Sequence, residues 1–424
     1  MRLSFKGLWR HPDFLKLWSG QTISLFGSQI TFLALPITAA LVLQATPAQM
    51  GFLAAAEMAP SLLVGLFAGV WVDRLRRRFV MVSADIARGL LLGIIPIAVL
   101  FNFLGMPLLY ALGFLLGVFN FLFDVAYRSY LPSLVKRNDL MEANAKLEVT
   151  NSLAYIAGPG LAGWLVDVLS APIAIAADAV SFFLSAFAIG SIKKPEAAPE
   201  PGADGQTMGR EIMKGVRLIL KEPILRAMAF GAMTSNFAGG FYSALLVLYI
   251  TRELGFSALF FGFMYGAGSL SGMLSAVIIK RIQKHVGVGP TFIYADIMIG
   301  LGWLLIPVLS WGLAAPRLVI IGCMLVAGFG NTTCNITSTS LAQAVVPFRL
   351  LGRYNATDQF IALGLLPIGS LIGGALGTAI GVRGGLIAGG CVMMTSFLWP
   401  LFSPLRSLRK MPEEEQGDNP ASLR

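Results

Sequence analysis

The sequence predicts an all-α polytopic membrane protein with about 12 transmembrane helices in two six-helix bundles. Three observations predict it: long apolar runs fill the chain, short polar loops separate them, and one longer polar segment divides them six and six. A helix rises ~1.5 Å per residue, so a hydrocarbon layer of ~30 Å needs about 20 residues with few charges. Of the 424 residues, 56% are hydrophobic and 13% are charged, and the mean hydropathy is +0.74. A soluble chain could not bury that much apolar surface.

The apolar runs fix the positions of the predicted spans. We place these spans at residues 14–43, 47–72, 79–102, 106–129, 143–168, 171–192, 223–250, 257–280, 290–311, 316–342, 353–380 and 384–405. We therefore expect an N-terminal bundle over residues 1–192, a C-terminal bundle over 223–405, and a cytoplasmic tail over 406–424.

The segment between the halves, residues 193–222, is predicted to be a cytoplasmic linker. It begins with Pro and Ala among acidic residues, which is typical of a flexible connection. From Arg210 to Lys221 the apolar residues recur at helical spacing. This pattern predicts an amphipathic helix that lies on the inner face of the membrane.

Lys and Arg outnumber Asp and Glu by 32 to 22, giving a formal net charge of +10. The basic residues concentrate in alternate loops, whereas the external loops carry only Arg252, Arg317 and Arg383. By the positive-inside rule, both termini are expected in the cytoplasm of a multi-pass protein in the plasma (inner) membrane of a bacterium. The positive charge is thereby explained, and we expect membrane lipids but no nucleic acid as partners.

Chemistry-bearing residues are scarce. Cys323, Cys334 and Cys391 fall in apolar spans without a Cys-x-x-Cys pair, and the two histidines lie apart in cytoplasmic segments. We expect no metal and no cofactor. An intramembrane enzyme would need a buried His, a Cys–His pair or paired acids with a nucleophile, so it is only a remote alternative.

The two halves are related by an internal repeat. A shift of 211 positions carries Asp85 onto Asp296 and Asn144 onto Asn355, and neighbouring Ala, Ile and Gly residues also match. A parallel duplication of six helices is one of the common plans of secondary transporters, which bind their ligand between the halves. The duplication is the strongest sequence evidence for transport.

Two motifs resemble those of a known family. The loop after the second span carries Gly69, Asp73, Arg74, Arg77 and Arg78, and it resembles the signature loop of the major facilitator superfamily. The fifth span carries Gly158, Pro159 and Gly163, which resemble the Gly-Pro motif of that family's antiporters.

The segments 128–135 and 140–144 are similar to the group of macrolide, tetracycline and siderophore exporters. The resemblance implies a drug:proton antiporter, expected to be a monomer that moves small amphipathic substrates. Two departures stand out: Arg76 replaces the usual Gly of the loop, and no Arg lies between Leu104 and Tyr127, where drug antiporters often have one. The usual proton-relay account therefore does not transfer to the fourth span.

Charged side chains near the inner helix ends are candidates for a cytoplasmic gate. Asp73 can accept hydrogen bonds from a helix N-terminus or from Arg77, as a latch, although it and the basic residues could equally only anchor the topology. Asp85 and Arg88 lie three residues apart on one helix and Asp124 and Arg128 four apart on the next, so each pair shares a helix face. The predicted gate comprises Gly69, Asp73, Arg74, Arg77, Arg78, Asp85, Arg88, Asp124 and Arg128.

Glu57 is the deepest acid, about ten residues into the second span and near its midplane. A charge there costs about 2.5–3.5 kcal/mol on insertion scales, and taking up a proton or binding a cation removes that cost. We select Glu57 as the proton-coupling candidate. Alternatively, it faces a water-filled cavity without a coupling role.

Uncharged polar side chains at middle depth are predicted to line a substrate cavity, or else to bond one helix to another. They are Gln29, Asn120, Asn236, Tyr242, Tyr265, Asn331, Thr332 and Asn335. Nothing resembles a phosphate-binding loop, so we expect efflux of a drug, antibiotic or siderophore driven by proton influx, with multidrug resistance as its consequence. A lipid or lysolipid flippase and a nutrient importer remain alternatives on the same fold.

Overall fold

The structure is a computed structural model that describes residues 7–63, 75–196, 208–310, 315–347 and 350–412. These residues form fifteen α-helices and no β-strand. The helices are α1 Pro12–Ile37, α2 Pro47–Leu63, α3 Arg77–Leu100, α4 Met106–Leu134, α5 Leu140–Leu169, α6 Ala171–Gly190, α7 Met208–Lys221, α8 Pro223–Leu248, α9 Ala258–Val286, α10 Val288–Leu309, α11 Pro316–Val345, α12 Leu351–Gly364, α13 Leu366–Ile380, α14 Val382–Met393 and α15 Leu398–Leu401.

The all-α membrane prediction is confirmed. Within the described residues, 11 helical segments are long and apolar enough to cross a bilayer. The remaining predicted span begins as α2, which reaches Leu63 at the edge of the described residues. The predicted gate residues Gly69, Asp73 and Arg74 belong to 64–74 and lie outside the described residues.

Two predicted spans are divided in the structure, and a proline accounts for the first division. The span 353–380 consists of α12 and α13, which separate at Leu365. Pro367 lacks the amide that would bond the carbonyl of Leu363, so the helical ladder cannot pass through this point unbroken. The span 384–405 contains α14 and α15, which are separated by a turn over residues 394–397.

The connecting segment contains a helix, α7, over Met208–Lys221, and its place on the inner face of the membrane stays a prediction. The prediction that residues 193–222 divide the chain into two bundles stays a prediction. By contacts between Cα atoms, the chain forms two compact units. Unit 1 comprises Met1–Gly205, Gly239–Ser269 and Leu366–Gly389, and unit 2 comprises Gln206–Ala238, Leu270–Leu365 and Gly390–Arg424.

The internal repeat reappears in backbone geometry. α1 continues into a π-helical segment over Thr38–Val42, and α8 continues into another over Tyr249–Glu253. The two segments begin and end 211 positions apart, which is the shift found in the sequence. The Arg252 guanidinium of the second segment donates hydrogen bonds to the carbonyl of Ala40, in the first, and to that of Ala45 at 2.7 Å.

The same shift relates two close helix contacts in unit 1. Gly51 of α2 lies against the backbone of Ser370 in α13, and Gly262 of α9 lies against the backbone of Pro159 in α5. A Cβ atom on either glycine would overlap the facing carbonyl. Both members of the second contact stand 211 residues from their counterparts in the first, so the duplicated halves repeat one packing solution, which uses small residues as membrane helices commonly do.

Helices α2 and α9 begin at the same end of these contacts as α5 and α13 end, and we call this the far end. At the far end, each contact has a side chain that caps the helix beginning there. The Asp167 carboxylate accepts the backbone amides of Ala258 and Leu259 at 3.0 Å, at the start of α9. The Thr378 hydroxyl accepts the amide of Ala48 at 3.1 Å, at the start of α2. These side chains satisfy amides that a helix leaves unpaired in its first turn.

The Gly-Pro motif offers a matched test of the α5–α9 contact. A Cβ atom on Gly163 would lie 2.8 Å from Leu259 Cα and would overlap the carbonyl of Ala258, whereas on Gly160 it would lie 3.9 Å from the Phe263 ring. Gly163→Ala should therefore lower the free energy of unfolding by about 1–3 kcal/mol through overpacking. Gly160→Ala should be neutral or stabilising by up to about 1 kcal/mol, because alanine favours a helix.

Thermal unfolding of both variants in detergent would check this expectation. Equal melting temperatures for Gly163→Ala and the unmodified protein would contradict the close contact.

Candidate functional site

Glu57 lies at a pocket built entirely within unit 1. Side chains of α1, α2, α8 and α9 surround it, and the cavity has a volume of about 80 Å³. Its lining comprises Phe32, Pro36, Met50, Leu53, Ala54, Glu57, Met58, Tyr242, Ser243, Leu246, Val247, Phe261 and Tyr265. The structure therefore brings together Glu57 and two residues predicted for the substrate cavity, Tyr242 and Tyr265.

Helical periodicity explains the lining. Phe32 and Pro36 are four residues apart on α1, as are Phe261 and Tyr265 on α9, so each pair shares a helix face. On α2, the lining positions recur at the spacing of one helical stripe that includes Glu57. Phe32 and Phe261 were not predicted from the sequence. The spacing identifies the helix face on which each lies, but it does not tell which helix faces meet.

Two glycines of α4 hold Glu57 in place. A Cβ atom on Gly113 would lie 3.1 Å from Glu57 Cγ, and one on Gly117 would lie 2.9 Å from Pro60 and overlap the Glu57 carbonyl. α2 and α4 therefore approach closely beside the acid, since glycine leaves room for the facing helix. The Glu57 side chain passes over Gly113 toward the pocket.

Glu57 has no counter-charge in the part of the chain that the structure describes. No Lys, Arg or His lines its pocket, and no salt bridge or hydrogen bond to its carboxylate is formed by a described residue. Its neighbours on α2, Leu53 and Ala54, are buried and apolar. An ionised carboxylate in such surroundings lacks the partners that normally offset lost hydration.

Aromatic rings form one side of the pocket. Tyr265 contacts both Phe32 and Phe261 edge to face, with ring centroids 5.6 Å and 5.2 Å apart. Tyr242 is 4% exposed, and its hydroxyl donates a hydrogen bond to the carbonyl of Leu386 at 3.0 Å. Phe32 is 52% exposed, so part of its ring remains uncovered.

A second polar cluster lies in the core of unit 1. Asp85 and Arg88 form an ion pair, and both are buried. The Arg88 guanidinium lies between the rings of Phe123 and Phe182, 4.3 Å and 4.2 Å from their centroids. It also donates a hydrogen bond to Asn120 Oδ1 at 3.0 Å. This predicted gate pair is therefore enclosed by aromatic rings and joined to a predicted cavity residue.

The neighbouring acids differ in their surroundings. Asp124 is exposed and attracts both Arg88 and Arg128 electrostatically, without a salt bridge to either. Asp178 is fully buried and accepts hydrogen bonds from the hydroxyls of Thr31 and Ser181. Thr31 was missed by the sequence analysis, because a single hydroxyl in an apolar run gives no local signal of its partner.

The other predicted residues make mostly local contacts. The backbone amides of Arg77 and Arg78 donate to the Glu196 carboxylate at 2.7 Å and 3.1 Å, at the start of α3. Gln29 packs over Gly158 of the Gly-Pro motif, which is buried beside Pro159.

In unit 2, the predicted cavity residues form hydrogen bonds within their own helix or pack against a neighbouring helix. Asn236 donates to the carbonyl of Ala232 and Asn335 to that of Asn331, each within one helix. Thr332 lies against Gly272. A role for these residues in substrate binding stays a prediction.

The comparisons with known proteins agree with this architecture. A sequence profile described as the Major Facilitator Superfamily matches residues 17–362. The chain belongs to the major facilitator superfamily. It is accordingly a multi-pass membrane transporter and not an enzyme, and the family prediction is confirmed.

The transporter is similar to two curated exporters along nearly its whole length. It is 27% identical to the multidrug efflux pump Tap of Mycolicibacterium fortuitum, over 94% of this chain and 97% of that protein. It is 26% identical to the enterobactin exporter EntS of Citrobacter koseri, over 96% of each chain.

Solved structures share the fold of the transporter. A bacterial homologue of the iron transporter ferroportin in an inward-facing state superposes with a TM-score of 0.71 at 19% identity, covering 93% of this chain and all of the other. The nucleoside transporter NupG superposes with a TM-score of 0.75 at 10% identity, covering 92% and 99%.

The buried ion pair gives a stability prediction. Arg88→Met leaves Asp85 buried without its partner and should lower the free energy of unfolding by about 3–5 kcal/mol. The double variant Asp85→Asn with Arg88→Met removes both charges and should recover a large part of that loss. Unfolding in mixed detergent, followed by circular dichroism, measures both. A double variant as unstable as the single one would contradict the pairing.

Proposed function

We propose that this transporter exports small amphipathic compounds in exchange for protons, by alternating access, and that Glu57 is the group at which the exchange occurs. The observation that carries the proposal is an acid without a counter-charge in a largely apolar pocket. The names of the similar proteins, a multidrug efflux pump and a siderophore exporter, support the direction of transport.

The chemistry of the pocket links substrate to proton. An unpaired carboxylate among apolar side chains is costly, and either a proton or a positively charged group offsets that cost. One carboxylate cannot bind both at once. Binding of substrate therefore favours loss of the proton, and return of the proton favours release of the substrate, which is the coupling that an antiporter requires.

The far-end contacts supply the part that moves. In the structure, α2 packs on α13 and α5 packs on α9 through glycines, and Asp167 and Thr378 bond across these contacts. Arg252 joins the segment after α8 to the segment after α1. Opening of the far end requires both contacts to separate. We propose that residues 1–192 and 223–405 act as the two moving bundles, connected by 193–222.

Topology follows from the charge distribution. We propose that both termini, with the tail 406–424, lie in the cytoplasm and that the protein works as a monomer in the inner membrane of a bacterium. The far end then faces outward, and substrate leaves when the α2–α13 and α5–α9 contacts open.

Transport in proteoliposomes with an imposed pH gradient tests this function. A panel of drugs, antibiotics and siderophores should include compounds that accumulate only when the gradient is present. Glu57→Gln should reduce gradient-driven accumulation at least about tenfold, equivalent to 1.4 kcal/mol, because the exchangeable charge is lost. Glu148→Gln, which removes an exposed acid of α5, is the matched control and should transport normally.

Accumulation by Glu57→Gln at the normal rate, with its dependence on the gradient retained, would remove Glu57 from the coupling mechanism. If the same liposomes move a fluorescent lysolipid but none of the panel, the flippase alternative is the correct one.

A further inference from the structure

We propose that the Glu57 pocket is a cage for an ammonium group, so that the transporter selects cationic amphipathic compounds over anionic or uncharged ones. This inference rests on the proposed function and specifies its substrate class. It depends on the charge, the aromatic lining and the size of the pocket.

The charge of the pocket is one-sided. Among the described residues that line it, Glu57 is the only charged side chain, and none is Lys, Arg or His. An anionic head group would meet a like charge. The side-chain donors among the described lining residues are the hydroxyls of Ser243, Tyr265 and Tyr242, and the last is already bonded to the carbonyl of Leu386. Such repulsion is an effective way to reject the wrong ligand.

Three other acids of unit 1, unlike Glu57, have partners among the described residues. Asp85 is paired with Arg88, Asp178 accepts hydroxyls from Thr31 and Ser181, and Asp167 caps α9. Among the described residues, Glu57 has neither a salt bridge nor a hydrogen-bond donor. An external cation is therefore the partner that its environment lacks.

The rings beside Glu57 suit an organic cation in particular. An ammonium group is attracted to the faces of aromatic rings within about 6 Å, and cages of such rings recognise quaternary ammonium ligands. Phe32, Tyr265, Phe261 and Tyr242 line the pocket, and the first three form a chain of edge-to-face contacts. A metal ion would instead require several oxygen or nitrogen ligands, and this lining does not supply them.

The volume of the pocket limits which part of a substrate can enter it. Pockets for whole drug-sized molecules occupy about 300–1,000 Å³, whereas this cavity measures about 80 Å³. It fits a small head group and not an entire ligand. The apolar part of the substrate must then extend beyond the cage, past the exposed face of Phe32.

Three naphthyl probes with the same propyl chain test the inference. They end in a trimethylammonium, a sulfonate or a hydroxyl group, and their binding to the full-length protein in nanodiscs is measured by equilibrium dialysis. The ammonium probe should bind at least about tenfold more tightly than the other two. Glu57→Gln should abolish this preference, and Glu148→Gln should retain it.

The rings are tested separately from the carboxylate. Tyr265→Leu should weaken binding of the ammonium probe about threefold or more, because it removes a ring face. Tyr265→Phe keeps the ring and should bind the probe normally, which also shows that the hydroxyl is not needed. Circular dichroism of each variant establishes that it is folded.

Equal or tighter binding of the sulfonate or the alcohol would overturn the cage, as would ammonium binding that Glu57→Gln leaves unchanged. If the cage fails but uncharged amphipathic compounds still accumulate under a pH gradient, the proposed efflux stands without it. If the cage binds the ammonium probe but no compound accumulates, the proposed efflux fails instead.

Discussion

Close contact between helices in a bilayer depends on small residues, since lipid is as apolar as the side chains and provides little hydrophobic drive for helix association. In unit 1 this constraint is met by glycine at repeat-related positions. Gly51 and Gly262 place α2 against α13 and α9 against α5. Gly113 and Gly117 bring α4 against α2 at the level of Glu57.

The cost of burying charge is the second constraint. In unit 1, some acids have partners within the protein, whereas Glu57 has none among the described residues. Asp85 and Asp178 are buried in the core, and each is matched by an arginine or by hydroxyl donors. These acids therefore have partners within the bundle. Glu57 lies at a cavity instead, where a proton or a ligand can reach it. The cost of burying an acid is thus offset by internal partners at Asp85 and Asp178, whereas the carboxylate of Glu57 is left for a proton or a ligand.

The two halves of the duplication share packing features but differ at Glu57. Glycine contacts, helix caps and π-helical segments recur at the 211-residue shift. Asp85 recurs as Asp296, but three other charges do not recur: Glu57 corresponds to Gly268, Arg88 to Ile299 and Arg252 to Leu41. Packing is retained in both halves because each must bury the same kind of helix surface. Glu57 has no acidic counterpart in the second half, so the proposed exchange belongs to one side of the repeat.

The sequence alone determined the helical membrane fold, the extent of most spans, the repeat and the depth of Glu57, because hydrophobic length and period are local properties of a chain. It also identified Tyr242 and Tyr265 as polar residues at middle depth. Only the tertiary structure showed that they meet Glu57, that Phe32 and Phe261 complete the aromatic lining, and that Asp178 is matched by Thr31. The division at Pro367 was likewise seen only there. These features depend on which helix faces touch, and that is decided by backbone approach between segments far apart in sequence.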